Sequence, residues 1–162
     1  MPDKPMALPV LGAQGDHLHT TAYFLDGVRK LVLLREVPPE VFTPAHVQIS
    51  IQSLGLSGSD LMYYETSAYY GKPLRTPIMI GKEAAGKLTA LGGNVRLNWP
   101  DLAVGSRVVI EPSIPCRLCQ KCVLGKYNVC VNMRTAAFAG REPYVHGFLR
   151  EYVNWPSELV HM

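Results

Sequence analysis

Between Val47 and Gln52 apolar and polar residues alternate, with Val47, Ile49 and Ile51 set against Gln48, Ser50 and Gln52. A period of two is the mark of a strand with one buried face. Leu31-Val32-Leu33-Leu34 and Val108-Val109-Ile110 are short apolar runs with turn residues nearby, the pattern of further, more buried strands, and Phe148 to Trp155 continues it near the end. Leu88-Thr89-Ala90-Leu91 running into Gly92-Gly93 reads as a strand entering a turn. These patterns predict about six strands. Helical signals are scarce; the best is Ser59 to Tyr64, a short helix in which Ser59 caps the first turn and Asp60 complements its dipole. With 14 Gly and 13 Pro punctuating short strands and no internal repeat, a mainly β barrel or sandwich is expected.

Residues 1–20 carry Pro2, Pro5, Pro9, Gly12 and Gly15 without periodicity and read as a flexible arm, leaving 21–162 as one domain. A chain of 162 residues that is 48% hydrophobic and 18% charged is long enough and apolar enough to bury a core. The net charge of +3 comes from scattered Lys and Arg and gathers on no one segment, which argues against a nucleic-acid partner. No basic start followed by an apolar run marks a signal peptide, and no stretch is apolar for the length a membrane span requires. A cytoplasmic setting is therefore the default, and in it thiols stay reduced.

That setting decides how the cysteines are read. Cys116, Cys119, Cys122 and Cys130 form the pattern C-x2-C-x2-C-x7-C and are all four cysteines of the chain. Zinc takes four soft ligands at about 2.3 Å, and two-residue spacers let a turning backbone aim successive thiolates at one ion. Gly125 relaxes the loop before Cys130 closes it, while Pro112 and Pro115 stiffen the approach. Four protein ligands leave no position for water or substrate, so the expected site is structural and holds a lobe at about residues 112–132 together. Unmetallated thiols are one alternative. An iron–sulfur cluster is the other, disfavoured because Val131 rather than Pro follows Cys130.

Gly81 to Lys87 has the spacing of a phosphate-binding loop, yet Leu88 stands where Ser or Thr must hold magnesium, and the context reads as a strand. The five histidines, His17, His19, His46, His146 and His161, show no ligand spacing. Tyr63-Tyr64 and Tyr69-Tyr70 make an aromatic face suited to core packing.

Gly55-Leu56-Ser57-Gly58-Ser59-Asp60, Gly81-Lys82-Glu83-Ala84-Ala85-Gly86, Gly105-Ser106-Arg107-Val108, Glu111-Pro112, Gly125 to Cys130 and Gly147 to Val153 occur in one order. Together they resemble the amino-terminal domain of zinc-containing medium-chain dehydrogenases, specifically the polyol branch of sorbitol, xylitol and L-arabinitol dehydrogenases. The resemblance runs from about Thr20 to the last residue. It implies a GroES-like, partly open barrel, a structural zinc lobe, and a small polyol or alcohol as substrate with NAD or NADP as coenzyme. It also implies a catalytic zinc held by a Cys in the Gly-Ser-Asp motif and by a His and the adjoining Glu. Those positions are Ser57, Lys82 and Glu83 here. A neutral hydroxyl is a poor zinc ligand and an ammonium is none until deprotonated, so no catalytic zinc is expected. Lys82 could pair with Glu83, project to solvent, or polarise a carbonyl oxygen. Ser59 and Tyr63 match positions beside the family's substrate, though capping and packing explain them equally well.

The family's doubly wound nucleotide-binding domain is not expected within these 162 residues, since no G-x-G-x-x-G follows a strand in them. NAD or NADP is thus expected only if a coenzyme domain exists elsewhere. Two readings follow: a substrate-side domain of a polyol or alcohol oxidoreductase, or a non-catalytic zinc-stabilised module. Neither fixes an oligomeric state.

Overall fold

The computed structural model describes residues 20–36, 43–74 and 77–162. Apart from Thr20, the proline- and glycine-rich arm lies outside the described residues, as do His17 and His19. The chain order of strands is β1 (Thr20–Leu25), β2 (Leu31–Glu36), β3 (His46–Gly55), β4 (Ala68–Tyr69), β5 (Lys72–Pro73), β6 (Glu83–Leu91), β7 (Arg107–Ile110), β8 (Ser113–Ile114), β9 (Arg134–Thr135), β10 (Tyr152–Pro156) and β11 (Val160–His161). Three short helices intervene: α1 (Gly58–Thr66), α2 (Val95–Asn98) and α3 (Gln120–Val123). Among the described residues six strands have four residues or more, the number the patterns predict, and the other five are two-residue pairings.

The main sheet runs β10-β3-β6-β7-β11, antiparallel throughout. Its register sets Ile49 opposite both Val153 and Leu88. Alternation then places Val47 and Ile49, Ala84 and Leu88, Val108 and Ile110, and Val153 and Trp155 in one buried cluster, closed by Phe148, Leu159 and Val160. Each large side chain of this kind stabilises the fold by about 1.5–3 kcal/mol when fully buried. Register shifts fall in the β3–β6 pairing at Gln48/Ile49 and Ile51/Ser53. Such irregularities sharpen the twist of a sheet, and the sheet curls into the mainly β, partly open barrel that the resemblance implies.

Three expectations need correction. Val108-Val109-Ile110 is not buried throughout: Val109 is 53% exposed between two buried neighbours, because the sheet has an outer face. Leu31 and Leu33, 42% and 47% exposed, likewise face outward on a two-stranded hairpin with β1, which has too few strands to cover both sides. Near the end only Tyr152 onward is strand.

A second cluster of Leu25, Tyr63, Ile78 and Ile80, with Tyr64, Tyr69, Tyr144 and Leu149 against it, seats α1 on the barrel. The cap of helix α1 lies two residues earlier than the sequence suggests. Its N-cap is Ser57, not Ser59, and Asp60 closes a capping box by accepting the Ser57 amide at 2.9 Å. Among the described residues no helix is long and apolar enough to cross a membrane.

Candidate metal lobe and neighbouring cleft

The cysteine lobe is built from tight backbone turns with little apolar packing. Cys116 follows the buried Pro115, Cys119 is the N-cap of α3, Cys122 lies within α3, and a 3-10 turn at Tyr127–Val129 delivers Cys130. Gly125, at φ +75, supplies the left-handed residue that turns the chain between α3 and that 3-10 turn. Arg117 ties the lobe to the barrel: its guanidinium lies 5.2 Å from the Tyr127 ring centroid and 3.5 Å from the Glu158 carboxylate.

These turns bring four sulfurs within 4.8 Å of one another. The Cys116–Cys130, Cys119–Cys122 and Cys119–Cys130 Sγ separations are 3.5, 3.6 and 3.9 Å. A disulfide needs about 2.05 Å, whereas the edge of a tetrahedron with arms of about 2.3 Å is about 3.8 Å. The sulfur arrangement is therefore one a zinc ion fits. Backbone amides point into it: Cys116 and Asn132 donate to Cys130 Sγ at 3.3 Å, and Cys119 donates to Cys116 Sγ at 3.4 Å. Amides of Leu118 and Cys119 lower the Cys116 thiol to about 6, and the amides of Cys122 and Val131 lower Cys119. Desolvation, and then the neighbouring thiols, push Cys122 up to about 12. Four thiols without a countercharge resist full ionisation, and a bound divalent cation removes that resistance by deprotonating its ligands.

The second constellation lies where α1 meets the start of β6. Ser57 and Ser59 come from the first turn of α1, and Lys82 and Glu83 from the approach to and first residue of β6. Lys82 Nζ donates to Ser59 Oγ at 2.6 Å, and the Ser57 and Ser59 hydroxyls are 3.0 Å apart. Ser57 Oγ donates to Asp60 Oδ2 at 2.6 Å, and Gly81 N donates to Asp60 Oδ1 at 2.7 Å. Asp60 is fully buried, so this network anchors it. Gly81 holds φ +85 with Leu54 crowding its α-carbon, a place only glycine fills without strain.

Lys82 thus reaches Ser59 and not Glu83. Glu83 is exposed, its carboxylate lying over Gly55. Both Lys82 and Glu83 line a cleft of about 510 Å³ with Leu54, Gly55, Val109 and Ile110. A hydroxyl, an ammonium and one carboxylate do not make a zinc site. Tyr63 stands away from this cleft: it is fully buried and its hydroxyl accepts the Ala139 amide at 3.3 Å. In the sequence Asp60 reads only as a complement to the helix dipole, whereas in the fold it anchors this network. The Ser57-x-x-Asp60 spacing of a capping box was the available signal.

Of the remaining histidines, His161 pairs with Glu111 at 3.5 Å and His146 accepts the Met79 amide at 3.4 Å, neither near the cysteines. Residues 81–87 run into β6 and not into a helix, so the apparent phosphate loop has no helix to serve.

Comparison with known proteins gives the same outline. The family model described as the alcohol dehydrogenase GroES-like domain matches residues 43–162. D-xylulose reductase A of Aspergillus niger is 31% identical over 151 residues, covering 93% of this chain and 40% of that protein. Galactitol-1-phosphate dehydrogenase from Escherichia coli superposes with a TM-score of 0.72 at 27% identity over 87% of this chain and 37% of its own. An Escherichia coli oxidoreductase/dehydrogenase of unknown specificity involved in membrane biogenesis gives 0.75 at 28% identity, covering 89% and 40%. The chain spans about 40% of the length of the curated relatives it matches.

Proposed function

As the chain belongs to the family of alcohol dehydrogenase GroES-like domains, we propose that it is the substrate-side domain of a polyol or alcohol oxidoreductase. In this reading Cys116, Cys119, Cys122 and Cys130 hold a structural zinc and the cleft holds no catalytic ion. The observation that carries it is the contrast between two clusters. Four sulfurs stand at tetrahedral spacing in one, and in the other the Ser57 hydroxyl donates to Asp60 while the Lys82 ammonium, which has no lone pair for a metal, donates to Ser59.

The substrate class follows from the relatives whose names carry D-xylulose and galactitol 1-phosphate, and from a cleft whose Lys82 and Glu83 offer a donor and an acceptor to a polyhydroxylated molecule. A volume of about 510 Å³ is within the range of about 300–1,000 Å³ common for small-molecule sites. A nicotinamide coenzyme supplies hydride transfer in such enzymes. None of the 162 residues forms its glycine fingerprint, so NAD or NADP is a partner of this chain only through a coenzyme domain elsewhere. This chain's own residues bind and orient the substrate and exclude water from the inner wall of the cleft, which Leu54, Ala84 and Ile110 line.

The same Ser57–Lys82 arrangement favours a second reading, a zinc-stabilised module that binds without catalysing. Turnover separates the two: reduction of D-xylulose or oxidation of xylitol by the chain fused to a relative's coenzyme domain, with NADH or NAD supplied, supports the oxidoreductase reading, and substrate binding without turnover supports the module. The polyol reading itself is tested by NMR of the methyl-labelled chain with xylitol and D-xylulose. Shifts confined to Leu54, Val109 and Ile110 are expected, and none at any cleft methyl counts against it.

A further inference from the structure

The direction of every hydrogen bond in the cleft network follows from counting protons. An ammonium only donates, so Ser59 Oγ accepts from Lys82. A carboxylate only accepts, so the single proton of Ser57 Oγ points at Asp60. Ser57 then has none left for its neighbour, and the 3.0 Å contact is Ser59 donating to Ser57. The chain runs one way, Lys82 to Ser59 to Ser57 to Asp60, from a cation to an anion. Charge-assisted ends strengthen such a chain, and turning either hydroxyl breaks the bond it donates. The anion end is fixed in turn by the amides of Ser57 and Gly81.

A lysine side chain is normally mobile. This one is held at Ser59 with two ammonium protons left over, and Lys82 and Glu83 both belong to the lining of the cleft. A fixed donor-only group recognises an oxygen that only accepts. A hydroxyl placed there must find another home for its own proton, whereas a carbonyl oxygen has none.

We propose that Lys82, held by the Ser59–Ser57–Asp60 chain, is the binding residue for the carbonyl oxygen of a small ketose, with Glu83 accepting hydroxyls on neighbouring carbons. Ser59 is a positioning residue in this arrangement. The assignment rests on the polyol reading above and adds to it the oxidation state of the ligand and the atom it places.

The test uses the full 162-residue chain with 13C-labelled lysine side chains, the Lys82 signal being identified by its loss in Lys82→Gln. D-xylulose should move that signal saturably, and xylitol should bind at least tenfold more weakly. Ser59→Ala should weaken D-xylulose binding about tenfold and narrow the Lys82 signal as the side chain is freed, while Ser59→Thr, which keeps the hydroxyl, should restore both. If the methyls of Leu54, Val109 and Ile110 shift with D-xylulose while Lys82 does not, or if xylitol binds as well, the inference fails and the polyol reading stands. If no cleft methyl shifts with either sugar, the polyol reading fails and takes the inference with it.

Discussion

The carboxylate of Asp60, fully buried at the start of α1, accepts the backbone amide of Gly81 across 2.7 Å, joining the helix to the segment that carries Lys82. The same carboxylate takes the Ser57 amide and hydroxyl. One side chain therefore fixes both halves of the cleft network.

Replacing Asp60 with Ala leaves buried donors without a partner, at a cost of about 1–3 kcal/mol each. Asp60→Ala should lose about 3 kcal/mol of stability in urea unfolding. Asp60→Asn, which keeps an acceptor oxygen, should lose less. Equal loss in the two variants would show that the negative charge of Asp60, and not an acceptor oxygen of the right shape, holds the network.

Gly86 of β6 lies close against β3: a Cβ there would sit 2.2 Å from the Ser50 carbonyl oxygen and 2.7 Å from an Ile49 methyl. Backbone cannot yield as a flexible side chain does. Gly86→Ala should destabilise by about 2 kcal/mol or more, whereas Gly93→Ala, with nothing within 4 Å, should be near neutral. A neutral Gly86→Ala would mean that the two strands are further apart than described.

Cys119 sits at the junction of two sulfur contacts, to Cys122 and Cys130. Cys119→Ser should release metal and lower the melting temperature by about 10 °C. An unchanged melting point with full metal retention would remove the structural role of the lobe.

Burial lowers the His46 pKa, and the nearby Glu158 opposes this only in part. Below its ordinary value the unfolded chain then binds the proton more readily than the folded one, so stability rises with pH through that window. The stabilising contribution is present above about 6.5 and is lost as pH falls through the lower, folded-state value. Urea unfolding at pH 5 and pH 7.5 should differ less in His46→Gln than in the parent chain. The same difference in both would assign the acid sensitivity to other groups.

Local features were legible in the sequence. The alternation at Val47, Ile49 and Ile51 needed only neighbours two residues apart, and the cysteine spacing needed only one loop. Val109 was not, because three apolar residues in a row do not say which of them faces out, and that depends on whether a second layer covers the sheet. Ser57 and Ser59 both read as caps of the same turn, and the Ser57-x-x-Asp60 box decides between them in favour of Ser57. The Lys82–Ser59 bond spans 23 residues and exists only once α1 packs beside β6. Its direction depends in turn on Asp60, which carries no sign of burial in the sequence.

The measurement that bears most directly on the whole account is zinc content together with X-ray absorption at the zinc edge, made on freshly isolated protein. The account predicts one zinc per chain with four sulfur neighbours at about 2.3 Å. Two ions per chain, no zinc at all, or nitrogen and oxygen in the shell would contradict it.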